Sequence, residues 1–185
     1  MPKKAKRPTT LASIKSFSQD DSSLVHVIIE TPKGCRNKYK FEPELNAFLL
    51  SNVLPEGMVF PYDFGFIPET KADDGDPMDV LLLMDQPAFP GCVIESRLIG
   101  VIEAEQTEEG ETERNDRLIA VAKKNHSYSD LRDIADMNKT LLKDIGQFFA
   151  NYHAARGTKF KVLGYRGPKQ AYRLLEKSTR SSKAA

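Results

Sequence analysis

The stretch Asp73-Asp74-Gly75-Asp76-Pro77-Met78-Asp79, with Val80-Leu81-Leu82-Leu83-Met84 behind it, constrains this chain more than any other. Gly75 and Pro77 predict a turn rather than a helix. Residues 80–84 are too few for a surface helix and read as a buried strand. Carboxylates are thus expected at the lip of a strand anchored in a core. Asp74, Asp76 and Asp79 stand at i, i+2 and i+5, and like charges that close repel unless a cation compensates them. Hard oxygen ligands suit Mg²⁺ or Mn²⁺; a solvated acidic turn is the plainer alternative. An EF-hand is excluded, because with Asp74 as position 1 the obligatory glycine at position 6 would be Asp79.

At 185 residues the chain suits one domain with short tails. The expected division is a flexible arm over 1–22, a barrel domain over 23–176 and a disordered tail over 177–185. Lys and Arg number 27 against 26 Asp and Glu, so no global field favours nucleic acid or a membrane surface. No apolar stretch approaches the ~20 residues of a membrane-spanning helix. Cys35 and Cys92 have no zinc or disulfide spacing, which is in keeping with reduced thiols in a cytoplasm. The basic start, Lys3 to Arg7, is not followed by an apolar segment and does not read as a secretory signal.

Strands are predicted at 24–30, 37–41, 47–50, 80–84, 93–102, 118–121 and 159–165. Gly100 marks a bulge or bend in the long strand. Residues 59–68 carry four aromatics around Pro61 and Gly65 and read as an irregular, aromatic-walled segment. Residues 103–116 hold seven acids around Gly110 and form a hairpin with an acidic tip. Leu141, Leu142, Ile145, Phe148, Phe149 and Tyr152 follow the period of one helix face, with Asn138 as N-cap and Gly157 as the stop. Pro168 opens a second helix. Strands first and helices last predict a mostly β fold with some α: a small barrel or curled sheet with C-terminal helices packed on it.

At this point the residues resemble a family. Asp74-Gly75-Asp76-Pro77-Met78-Asp79-Val80 is similar to the signature of the soluble, Mg²⁺-dependent inorganic pyrophosphatases, whose fold is a five-stranded OB-type barrel. The likeness runs from about Val25 to Leu175 and includes Ile29-Glu30-Thr31-Pro32, Lys38-Tyr39, Pro61 to Gly65 and Phe148-Phe149 to Tyr152. It implies that Asp74, Asp76 and Asp79 bind metal and that Asp76 helps to activate the attacking water. It implies an active-site role for Glu30, and phosphate binding by Lys38, Tyr152 and Arg117, the last standing where the family has a lysine. It also implies a homo-oligomer, hexameric in bacterial members. Departures are Lys40 for a glutamate, Asn52 for an arginine, Phe60 and Phe64 for tyrosines, His153 for a lysine and Asn115 for an aspartate. Glu108 and Asp116 are the candidate substitutes for that lost acid.

The leading expectation is hydrolysis of pyrophosphate to two phosphates. The alternative keeps the barrel but acts weakly, acts on another phosphoanhydride, or only binds phosphate compounds. A third reading, single-stranded nucleic acid on an OB-type barrel, draws on Lys38-Tyr39-Lys40-Phe41. The acidic cluster, which would repel a nucleic-acid backbone, argues against it.

Overall fold

In a computed structural model that describes residues 10–184, nine strands, two α-helices and two 3₁₀ turns are joined by loops. The strands are β1 (Val25–Thr31), β2 (Asn37–Glu42), β3 (Ala47–Val53), β4 (Asp63–Phe66), β5 (Asp79–Leu83), β6 (Val93–Glu108), β7 (Glu111–Arg114), β8 (Arg117–Ala122) and β9 (Lys159–Arg166), with α1 (Lys139–Ala154) before β9 and α2 (Pro168–Ala184) after it. Strands β1, β4, β5, β8 and β6 pair in that order, and β6 pairs back with β1. The ring is a closed five-stranded barrel of the OB type with C-terminal helices packed against it. Closure leaves no free edge in the ring.

One strand makes the closure feasible. β6 is 16 residues long and serves four partners along its length. Its start pairs with β1, its middle with β8, and its far end with β9 and β7. A register shift falls between Leu98 and Gly100, where the sequence predicts a bend. The strand runs on past the expected end at 102 to Glu108 and turns back into β7, so the acidic stretch is a hairpin as the sequence predicts.

The apolar run of β5 has a simple cause. Val80 and Leu82 join a cluster with Val25, Val27, Ile29, Val101, Leu118 and Ala120, while Leu81 and Leu83 join another with Ile119, Val121 and Phe149. Both faces of the strand are covered, so alternation disappears. α1 covers the second cluster with Leu142, Ile145, Phe149 and Tyr152. The Asn138 side chain accepts from the Thr140 amide at 2.8 Å, a cap that contributes about 1 kcal/mol. α2 lays Ala171 and Leu175 on the first cluster.

Three expectations change. Residues 59–68 are not wholly irregular: Asp63–Phe66 is a buried barrel strand, and Gly65 lies so close to β1 that a Cβ there would meet the Ile28 carbonyl oxygen at 2.0 Å. Residues 177–184 continue α2 instead of forming a loose tail. Ser178 is buried, and its carbonyl accepts from the Lys71 amide at 3.2 Å. In the expected arm, residues 1–9 lie outside the described residues. Beyond them, Ser16 Oγ donates to the Pro68 carbonyl at 2.6 Å and Phe17 bridges to Val25. Among the described residues, no helix is long and apolar enough to cross a membrane.

Candidate active site

Thr70 and Met78 fix the acidic turn. Thr70 Oγ1 accepts from the Met78 amide at 2.9 Å, and the Met78 side chain is buried in the barrel cluster. Gly75 takes φ 87, a conformation that glycine adopts without cost. The Asp74 carboxylate accepts from the Asp76 amide at 3.1 Å, which tightens the turn and fixes one of its two oxygens. Asp79 opens β5.

The opposite charges come from two elements, β8 and β2. β5 and β8 run parallel with Val80 beside Leu118, so their first residues, Asp79 and Arg117, lie side by side, with Arg117 Nη1 2.8 Å from Asp79 Oδ2. Arg117 is buried, packs over the rings of Phe149 and Phe160 at 5.4 and 5.7 Å, and donates to Asn115 Oδ1. Lys38 and Lys40 project from alternate positions of β2. Lys40 Nζ reaches Asp76 Oδ2 at 2.8 Å. Lys38 Nζ lies over Phe64 and Tyr152, 5.5 and 5.7 Å from the ring centres. α1 supplies Tyr152 and His153.

These groups share one open cavity of about 690 Å³. Asp74, Asp76 and Asp79 line it together with Lys38, Lys40, Arg117, Tyr152, His153 and the hairpin acids Glu108, Glu109, Glu111 and Glu113. Glu108 is therefore brought to the site, where it accepts from Gln106 at 3.0 Å. Asp116 is placed differently. Its carboxylate accepts from Arg114 at 2.8 and 3.0 Å and from the Ala104 amide at 2.9 Å, and it lines an adjoining cavity of about 40 Å³ shared with Asp74 and Asp79. Glu30 lies in a neighbouring cavity that also holds Lys38, Lys40, Asp76 and Asp79.

Burial and crowding set the charges. Burial pushes the Glu30 carboxyl up to about 7, and the charge of Asp79 adds to this, although the carboxylate accepts from the Phe41 amide at 2.7 Å. Loss of solvent in the turn holds Asp74 above the usual carboxylate range, with the charges of Asp79 and Asp76 adding to the effect. His153 is lowered to about 3 by burial and by the cations Arg117, Arg156 and Lys38. It is therefore neutral at ordinary pH, with Nδ1 3.0 Å from Thr158 Oγ1 and Nε2 buried without a partner among the described residues.

The departures from the family pattern have structural settings. Phe60 and Phe64 are buried in a group of rings with Phe148 and Phe149, so the missing hydroxyls are replaced by apolar packing. Asn52 sits opposite Lys38 on the β2–β3 hairpin and lines a fourth cavity with Tyr152 and Arg156. Sequence reasoning missed Arg156. Its position one helical turn after Tyr152 was the available signal.

The donor set fits a hard divalent cation: Asp74, Asp76 and Asp79 offer carboxylate oxygens alone to one cavity. Among the described residues, no three acidic, histidine or cysteine side chains stand grouped as a ready-made cage. Lys40 and Arg117 occupy two of the three carboxylates.

A closed five-stranded barrel with C-terminal helices packed on it has close counterparts. The family described as inorganic pyrophosphatase matches residues 27–183, and the chain belongs to that family. An inorganic pyrophosphatase of Synechocystis is 37% identical over 166 residues, which cover 90% of this chain and 96% of that protein. One of Thermus thermophilus is also 37% identical, over 87% of this chain and 93% of its own length. The crystal structure of inorganic pyrophosphatase from Thermus thermophilus superposes with a TM-score of 0.85, covering 95% of this chain and 99% of that one.

Proposed function

We propose that this chain hydrolyses inorganic pyrophosphate to two phosphates with Mg²⁺, or Mn²⁺ in its place. The observation that carries this reading is the meeting of Asp74, Asp76 and Asp79 with Lys38, Arg117 and Tyr152 around one cavity. A trianion or tetraanion needs cations on one side, and its attacking water needs a base on the other.

Asp74, Asp76 and Asp79 would hold the metal, with Glu108 from the hairpin and Asp116 from the adjoining cavity as further candidates. The metal would cancel phosphate charge and make a bound water more acidic. Asp76 is the candidate base, taking the proton of the attacking water. Lys38, Arg117 and the Tyr152 hydroxyl would hold the phosphates and stabilise the leaving group. Glu30, raised to about 7, can carry a proton near neutral pH beside Lys38 and Lys40. We also propose a cytoplasmic homo-oligomer, hexameric as the resemblance implies. Exposed Leu45, Leu49, Leu50 and Val53 on the β2–β3 hairpin and the unpaired thiols of Cys35 and Cys92 are compatible with it.

Phosphate release from pyrophosphate, with and without Mg²⁺, tests the reading, with nucleotides and sugar phosphates as comparison substrates. Metal-dependent release selective for pyrophosphate is expected. Equal or faster release from another phosphoanhydride would overturn it.

A further inference from the structure

The cations around the cavity are not equivalent. Arg117 faces Asp79, Lys40 faces Asp76, and Arg114 faces Asp116. His153 is neutral, and Asn52 carries no charge. Among the described residues, two cationic side chains lining the cavity have no carboxylate partner within ion-pair distance: Lys38, over its two rings, and Arg156.

Arg156 is placed with some care by the chain. It follows the last turn of α1, its amide donating to the His153 carbonyl at 2.9 Å. Its Nη1 donates to the Tyr152 hydroxyl at 3.0 Å, and its guanidinium lies 5.5 Å from the centre of the Tyr152 ring. Its side chain lines both the main cavity and the adjoining one that contains Asn52. A guanidinium has five N–H donors in a planar fork that matches phosphate oxygens. Among the described residues only one is engaged, and the place of the guanidinium over the Tyr152 ring limits the freedom lost when the others bind.

We propose that Arg156 is a phosphate-binding residue of this site, gripping the end of the substrate that lies over Tyr152 and supplying the charge that Asn52 does not. The ligand class is a phosphate monoanion or dianion, free or at the end of pyrophosphate. The assignment rests on the pyrophosphatase reading above for its substrate, but not for its chemistry.

Steady-state kinetics with R156Q, R156K and Y152F, together with calorimetric titration of inorganic phosphate in the presence of Mg²⁺, tests it. R156Q should raise KM for pyrophosphate and weaken phosphate binding by about tenfold each, as loss of one charge-assisted bond implies. Its kcat should change far less and its Tm should hold, since the side chain is exposed. R156K should recover part of the loss. If Arg156 only orients the Tyr152 hydroxyl, R156Q will cost nothing further in a Y152F background, and that result would overturn the assignment. A chain that hydrolyses pyrophosphate with the same KM and phosphate affinity in R156Q would overturn it too, while leaving the activity standing. Conversely, phosphate binding lost in R156Q from a chain without pyrophosphate turnover would support the assignment and sink the activity.

Discussion

Lys40→Gln should tighten Mg²⁺ binding. Lys40 Nζ lies 2.8 Å from Asp76 Oδ2, with the two side chains 51% and 59% exposed. A divalent ion arriving at Asp76 has to loosen that pair, and an exposed pair contributes about 0.2–1 kcal/mol. It then meets a nearby ammonium: charges of two and one about 6 Å apart in water repel by roughly 1.4 kcal/mol. The two effects sum to about 2 kcal/mol, or roughly 30-fold in affinity. Side-chain rearrangement and salt reduce this, so a gain of about 10-fold at low ionic strength, shrinking as salt is added, is the expected result. Isothermal titration of metal-free protein with MgCl₂ measures it. Lys123→Gln is the control, because Lys123 forms a comparable exposed pair with Glu95 at 3.0 Å and does not line the cavity. An unchanged Mg²⁺ dissociation constant in K40Q, or the same gain in both variants, would refute the idea that Lys40 competes for Asp76.

Three further outcomes follow from the geometry. Asp76→Asn should lower kcat for pyrophosphate by roughly 10²–10⁴-fold, the range of general-base contributions, while Lys161→Gln, on the exposed face of β9, leaves the rate unchanged; a folded D76N enzyme of wild-type rate would remove Asp76 from the chemistry. Glu30→Gln keeps an oxygen for the Phe41 amide but removes a titration. The folded carboxyl holds its proton up to about 7 against 4.5 in the unfolded chain, so wild-type stability falls as pH rises through that window and is level above it. Metal-free E30Q should therefore gain on wild type from near zero at pH 4 to about 3 kcal/mol at pH 8, and a difference in denaturant midpoint that is constant across pH would contradict this. Gly65→Ala should cost about 1–3 kcal/mol or more, because the added Cβ overpacks β1; an unaltered Tm would mean that β1 and β4 can separate without loss.

The sequence carried the barrel unevenly. The buried strand behind the acidic turn was legible because both its faces are covered and its apolar run is unbroken. α1 was legible from its period and its Asn138 cap. β4 was not: it has four residues, one of them Gly65, among prolines and aromatics that signal irregular chain, and only close pairing with β1 and β5 makes it a strand. The continuation of α2 was hidden for a similar reason. Residues 177–184 are polar, and their helix is supported by tertiary contacts such as Lys71 to Ser178, which composition does not display. In the site, the charged types were visible but not their pairings. Nothing local tells that Lys40 reaches 36 positions along the chain to Asp76. Arg156 was overlooked because it lies beyond the apolar stripe of α1, where a lone basic residue usually reads as a helix terminus.

The parallel pairing of β5 with β8 has a consequence for how the protein matures. Asp79 and Arg117 adjoin only because two strands that enter from the same end have found each other across the whole of β6 and its hairpin. Such non-local pairings form late, after the entropy of the intervening loop has been overcome. Hairpins such as β2–β3 can close early from local contacts, so Lys38 and Lys40 can be in place on a chain that still lacks the Asp79–Arg117 junction. Refolding followed by far-ultraviolet circular dichroism should therefore run ahead of refolding followed by recovered hydrolysis. A nascent or partly unfolded chain would have strands before it has an active site.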